Sequence, residues 1–285
     1  MPVRTRSART AVRRLTLAAT TAALVACLTP AAVAAPAPAP APRDLTVQGA
    51  DVSWPQCPPG TGIPGRKGLG LPMPSTAAQF VVVGLTNGPG FTRNPCLTTQ
   101  LAWARARAIQ TAAYAVASYP TAAQLRRYAQ AGPYRGTTWR GRLRNVGYAE
   151  ARYNLATLSA VGLSVPHIWV DVESYPFRPW SRSILGNRAL VRGALQGYRD
   201  AGLTVGIYST PLQFAQIAGW VGWAVPEWHT AGSRGRSTAL ARCAESPFTG
   251  GPVVLSQWWT SRADHDLTCP AATPSAFAQF FTVPR

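Results

Sequence analysis

Between about residue 45 and residue 285, short β-like runs alternate with helix-periodic segments, and no Pro/Gly/Ser linker or internal repeat interrupts them. The β-like runs fall at residues 50–54, 80–86, 112–118, 168–173, 205–209, 227–230 and 253–258. Helical patterns occupy 97–109, 147–161, 187–201 and 211–219, with another at 274–281. Strands that alternate with helices build parallel sheets, because a parallel pair needs a crossover long enough to hold a helix. About eight strand-sized units in roughly 240 residues suit one closed barrel. The alternation therefore predicts an α/β chain with a single (β/α)8-type TIM barrel over 45–285, irregular in its last strands.

Two boundaries support this reading. Asn187 is expected as the N-cap of a helix that ends at Ala201-Gly202, and the helix from Gly147 is expected to end near Gly162. Residues 121–145, rich in Arg, Gly and Tyr, fit no element and are expected as a long excursion over one barrel face.

The first 34 residues have the form of a secretory signal peptide. Arg4, Arg6, Arg9, Arg13 and Arg14 precede an apolar stretch from Leu15 to Leu28, and Ala32-Val33-Ala34 follows as an A-x-A processing site. The apolar stretch is short and stops at Pro30, which argues against stable membrane insertion. Lipidation at Cys27, within Leu24-Val25-Ala26-Cys27, is the alternative to release. Residues 35–44 begin with alternating Ala and Pro, a composition that extends but cannot supply a core.

Export frames the cysteines and the charge. Cys57, Cys96, Cys243 and Cys269 remain after processing, an even count that reads as two disulfides with three possible connectivities. Cys57–Cys96 and Cys243–Cys269 are favoured because each closes one βα-sized segment. The four lack C-x-x-C pairing and the three His are scattered, so no metal site is expected. The formal charge is +18, and about +13 without the signal arginines. Such a chain is drawn to polyanions, which outside a cell are wall polymers and acidic glycans. The arginines are dispersed, with no nucleic-acid motif, which argues against nucleic acid as partner.

Against 28 Lys and Arg stand ten acids, and two of them form Asp171-Val172-Glu173 at the end of the apolar run 167–170. In a strand, i and i+2 project to one face. At the carboxyl end of a barrel strand that face is the barrel mouth, where catalytic residues collect. Asp51, Asp264 and Asp266 fall at comparable positions near the first and last strands. Neighbouring carboxylates repel, so one can stay protonated while another is ionised. Glycoside cleavage needs that division: a proton donor to the leaving oxygen and an anion facing the oxocarbenium-like centre. Sugar faces also stack on rings, and Trp54, Trp169, Trp228, Trp258, Trp259, Tyr175 and Trp180 lie in or beside these segments.

Asp51-Val52-Ser53, Asp171-Val172-Glu173, Gly206-Ile207-Tyr208-Ser209, Glu227-Trp228-His229 and Gln257-Trp258 before Asp264-His265-Asp266 together resemble glycoside hydrolase family 25, the lysozyme-type N-acetylmuramidases. More closely, the chain is similar to secreted bacterial glycoside-hydrolase-like proteins related to that family. Residues 51–57, 91–96, 205–211 and 248–252 carry this likeness, which spans about 49–270. The resemblance implies Glu173 as general acid and Asp171 as its anionic partner, stabilising the charged intermediate or orienting the substrate's N-acetyl group. It places Asp51 and Asp264 at the remaining acidic positions, with Trp54, Tyr208, Trp228, Trp258 and Asp266 near substrate. It implies an exported, monomeric glycosidase acting on peptidoglycan or a related cell-wall glycan without cofactor. The alternative is a non-catalytic wall- or carbohydrate-binding protein on the same barrel.

Overall fold

A computed structural model describes residues 46–174, 179–270 and 274–285, with the side chains of 274 and 275 excepted. The expected signal segment 1–34 with Cys27, the linker 35–44 and Tyr175 lie outside the described residues. In chain order the elements are β1 (Gln48–Val52), a small hairpin of β2 (Gly62–Ile63) and β3 (Arg66–Lys67), β4 (Phe80–Gly84), α1 (Leu97–Ala106) and β5 (Gln110–Val116). They continue with α2 (Ala122–Tyr128), α3 (Trp139–Ala160), β6 (His167–Asp171), α4 (Ile184–Arg199), β7 (Thr204–Ser209) and α5 (Pro211–Ala218). The last are β8 (Glu227–Thr230), α6 (Gly235–Arg242), β9 (Val253–Trp259), β10 (Asp264–Thr268) and a 3-10 turn at Pro274–Gln279.

Eight strands close a barrel in the order β1-β10-β9-β8-β7-β6-β5-β4. Seven run parallel, and β10 is antiparallel to both its neighbours. The expected irregularity is this reversed strand, which follows β9 through a tight turn closed by Thr260 N–H to Ala263 O at 2.8 Å. Reversal has a consequence for chemistry. The first residue of β10, not its last, lies level with the carboxyl ends of the other strands.

Period-two alternation sorts the side chains into two layers. Along β6, Ile168 and Val170 join the outer core beneath the helices, while Trp169 joins a separate cluster inside the barrel. The amino ends of the strands are sealed by the chain's C-terminus. Phe281 lies 4.8 Å from Phe80 and 4.4 Å from Phe277, ring centre to ring centre, and Phe280 stacks on Trp169. Thr111 and Thr282 exchange backbone hydrogen bonds of 2.7 and 2.9 Å that hold the seal in place. Gly206 makes room for it, since a Cβ there would stand 2.4 Å from the Trp169 ring.

The sequence expectation fails in three places among the helices. Residues 121–145 are not a bare excursion: they contain α2, capped reciprocally by Thr121 and Gln124, and the first turns of α3. Asn187 is no N-cap; Ser183 caps α4, and Asn187 sits buried inside it, donating to the carbonyls of Ser181 and Ile217. The segment expected as a helix at 274–281 is the 3-10 turn.

Cys57 bonds Cys96 and Cys243 bonds Cys269, with Cα separations of 5.4 and 5.3 Å. They close loops of 39 and 26 residues, which in a chain-entropy account stabilise by roughly 3.5–4 kcal/mol each. Two disulfides fit an oxidising, extracellular location. Among the described residues no helix is long and apolar enough to cross a membrane.

Candidate active site

The Asp-x-Glu pair owes its geometry to a ladder that outlasts β6. Beyond Asp171 the backbone stays pinned: Val172 N–H donates to Tyr208 O (3.0 Å), and Ser209 Oγ donates to Val172 O (2.8 Å). Alternation therefore continues past the strand end, burying Val172 outward and turning Asp171 and Glu173 to the same cavity. Asp171 is buried, and Glu173 is partly exposed with its carbonyl accepting from Trp180 Nε1 at 2.7 Å.

The opposite wall is built by β1 and the reversed β10. Their antiparallel register pairs Gly49 with Asp266, which sets Asp51 across from Asp264 two residues further up. Asp51, Asp171, Glu173 and Asp264 thus line one cavity of about 240 Å³ at the carboxyl ends of the parallel strands. Trp54, Tyr208 and Trp228 share its lining. Trp54 projects from a short 3-10 turn after β1, with the Arg66 guanidinium 5.0 Å above its ring. No residue of 121–145 reaches the cavity lining.

A hydrogen-bond chain fixes the floor. Gln257 Nε2 donates to Asp51 Oδ2 (2.7 Å), while Gln257 Oε1 accepts from Tyr208 OH (2.7 Å) and Thr230 Oγ1 (2.9 Å). Below it, Trp228 Nε1 donates to Asp266 Oδ1 at 2.9 Å. Asp266 is fully buried and does not line the cavity; it lies under the site, not in it.

Three carboxyls so close together cannot all ionise cheaply. Burial, then the charges of Asp264 and Asp266, push the Asp51 carboxyl well above the usual carboxylate range, against the opposing hydrogen bond from Gln257. Burial, then Asp264, raises Asp266 likewise. Burial lifts Asp264 to about 6. Tyr114 and Tyr208 are also raised, first by burial and next by Asp51 and Glu173 respectively, so both phenols stay protonated donors. One wall is therefore rich in protons, and Asp171 with Glu173 stands opposite.

Besides Asp266, Trp258 is expected near substrate and is absent from the cavity lining. Along β9 alternation faces Gln257 and Trp259 inward and Trp258 outward, where it stacks on His265 at 5.2 Å and packs beside Ala231, Ala239 and Leu267. Trp259 takes its place on the cavity rim, 46% exposed. Trp169 is fully buried in the seal and does not line this cavity. Tyr114 and Arg66 line the cavity without a role expected from the sequence, and so does Gln257, which was expected only as part of the Gln257-Trp258 motif. For Tyr114 and Gln257 the signal was present in the sequence: each sits at the inward parity of a recognised strand. Arg66 had none, since it arrives on the hairpin between β1 and β4.

Glu227 and His229 face outward and form a separate buried knot. Glu227 accepts from His229 Nε2 (2.7 Å), Phe248 N–H (3.0 Å) and the hydroxyl of Thr249 (2.6 Å). Its oxygens are spent on the loop before β9, a structural duty. Among the described residues no group of His, Cys, Asp and Glu is arranged to hold a metal ion.

The fold is an eight-stranded barrel of the kind found in solved lysozymes and muramidases, and in this chain acids gather at its mouth. A bacterial lysozyme from Streptomyces coelicolor superposes with a TM-score of 0.53 at 17% identity, covering 82% of this chain and 96% of that one. A muramidase from Acremonium alcalophilum gives 0.50 at 15%, covering 82% and 99%. The spore cortex lytic enzyme SleM of Clostridium perfringens gives 0.54 at 11%, covering 82% and 70%. No family model and no curated protein matches the sequence. At these identities the likeness is one of fold.

Proposed function

We propose that this chain is an exported glycosidase that hydrolyses peptidoglycan or a related cell-wall glycan. Glu173 acts as general acid, protonating the glycosidic oxygen as the bond breaks. Asp171 supplies the anion beside the developing oxocarbenium-like centre, or holds an N-acetyl group against it. Asp51 and Asp264, biased toward their protonated forms, donate hydrogen bonds to sugar oxygens. Trp54, Trp228, Trp259 and Tyr208 supply ring faces and edges for the sugar. The observation that carries the reading is the convergence of four carboxyls from three strand ends on one cavity. That cavity is smaller than the ~300–1,000 Å³ of drug-sized sites, a size suited to one pyranose ring at the cleavage point.

Export rests on residues 1–34 and agrees with the two disulfides. The basic charge favours approach to an anionic wall. Mass spectrometry of peptidoglycan digested with the purified protein tests the substrate. Soluble fragments with muramic acid at a new reducing end are expected. Retention on the wall without any fragment would support the binding protein instead.

A further inference from the structure

We propose that the outer face of the α3–α4 pair carries a second binding site, for a phosphorylated sugar, in the pocket formed by Tyr134, Arg144, Arg192, Gln196, Arg199 and Trp223. The pocket encloses about 430 Å³ and shares no lining residue with the carboxylate cavity. The two helices that build it are locked together through glycine. A Cβ on Gly193 would stand 2.0 Å from Arg144 O, and one on Gly147 would stand 2.0 Å from Leu190 O, so the backbones touch at the level of the pocket. This contact fixes Arg144 and Arg192 relative to one another. Arg192, Leu195, Gln196 and Arg199 then follow at i, i+3, i+4 and i+7, one face of α4 turned to the same space.

Three guanidinium groups line a single pocket, yet among the described residues no ion pair joins Arg144, Arg192 or Arg199 to an acid. Asp200, at the end of the same helix, accepts instead from Gln196 Nε2 at 2.6 Å. Arg144 lies 5.3 Å over the Tyr134 ring, and its Nε is buried with no hydrogen-bond partner. Burial and the Asp200 charge raise the Tyr134 hydroxyl's pKa, and the nearby Arg144 and Arg192 charges oppose that rise.

A carboxylate is satisfied by one planar fork, whereas three forks match the oxygens of a phosphate. The remaining walls suit a sugar. Tyr134 and Trp223 offer ring faces, and Gln196 Oε1 can accept from a hydroxyl while its amide nitrogen serves Asp200. The pocket is larger than the carboxylate cavity, with room for a phosphate and the ring that bears it. The phosphorylated sugar can arrive free or as a unit of a wall polymer.

Calorimetric titration of the full chain at low salt, with glucose 1-phosphate, inorganic phosphate and glucose as probes, tests the site. Glucose 1-phosphate is expected to saturate one site, more tightly than phosphate, with glucose silent and binding weakened by added salt. Arg192→Gln and Arg199→Gln, both at exposed positions, are each expected to weaken it about tenfold with unchanged melting temperature. Arg144→Lys keeps the charge and loses the fork, so it weakens binding too. A sugar-phosphate polymer that competes more strongly per phosphate than the monomer identifies the polymer as the source; equal competition identifies the free sugar. Absence of saturable binding, equal affinity for phosphate and glucose 1-phosphate, or affinities untouched by all three substitutions would overturn the proposal.

Discussion

The two ends of this barrel are built by the same rule and hold opposite chemistry. At the amino ends of the strands, inward positions carry Phe80 and Trp169, and Phe277, Phe280 and Phe281 close over them. His167 sits in this seal, donating or accepting at Thr204 Oγ1 (2.8 Å), and burial lowers its pKa to about 3. It stays a neutral filler. At the carboxyl ends, inward positions of the same barrel carry Asp51, Asp171 and Tyr208, and burial there pushes Asp51 up rather than being avoided. One end is apolar, with its His167 neutral; the other concentrates acids that disfavour one another. Stability is drawn from the sealed end, which lets the open end hold groups that oppose folding.

The largest expected effect separates the ends by function. Glu173→Gln should cut glycan turnover by about 10³-fold while leaving the melting temperature in place, since a general acid contributes on that scale. Phe281→Ala should do the reverse, costing about 3–5 kcal/mol in denaturant unfolding with turnover of the remaining folded protein retained. Equal loss of activity in both would break the comparison. Next, replacing Cys243 and Cys269 by Ser should cost about 3.5 kcal/mol without moving the pH profile, because this bridge ties β10 at its far end from the cavity.

Asp264 sharpens the comparison through pH. Its pKa is raised in the folded protein to about 6, above the ordinary carboxylate value. The folded state therefore binds this proton more tightly than the unfolded chain. Its contribution is full below about pH 4 and is lost as pH rises through 6, a swing of up to about 3 kcal/mol. Asp264→Asn should gain stability relative to the wild type across that window, and thermal melts at pH 4 and pH 7 check it. A variant less stable at pH 7 by as much as at pH 4 would show that the open end is not strained. The smallest effect is a control outside both ends: Thr121→Ala should cost about 1 kcal/mol through lost capping of α2, with neither activity nor pH profile changed.

What could be read from the sequence follows the strength of local signals. Seven strands stand out because Val, Ile and aromatic residues cluster in them. β10 does not, because Asp264-His265-Asp266 is poor strand material. It pairs only when β1 and β9 offer it two edges, and closure of a barrel is invisible to a local window. The capping box of Thr121 and Gln124 was there to be read, but the Arg- and Gly-rich residues after it masked the helix. In the site, Asp51, Asp171, Glu173 and Asp264 were legible by position, whereas Trp258 was misplaced by one residue of parity. In a strand one residue is a change of face.

The central claim is that Asp171 and Glu173 perform glycoside cleavage at the open end. Release of reducing ends from purified peptidoglycan, measured side by side for the wild type, Glu173→Gln and Asp171→Asn with matched melting temperatures, tests it most directly. The account predicts turnover by the wild type and a loss of about 10³-fold in each variant. Activity that survives both substitutions would contradict it.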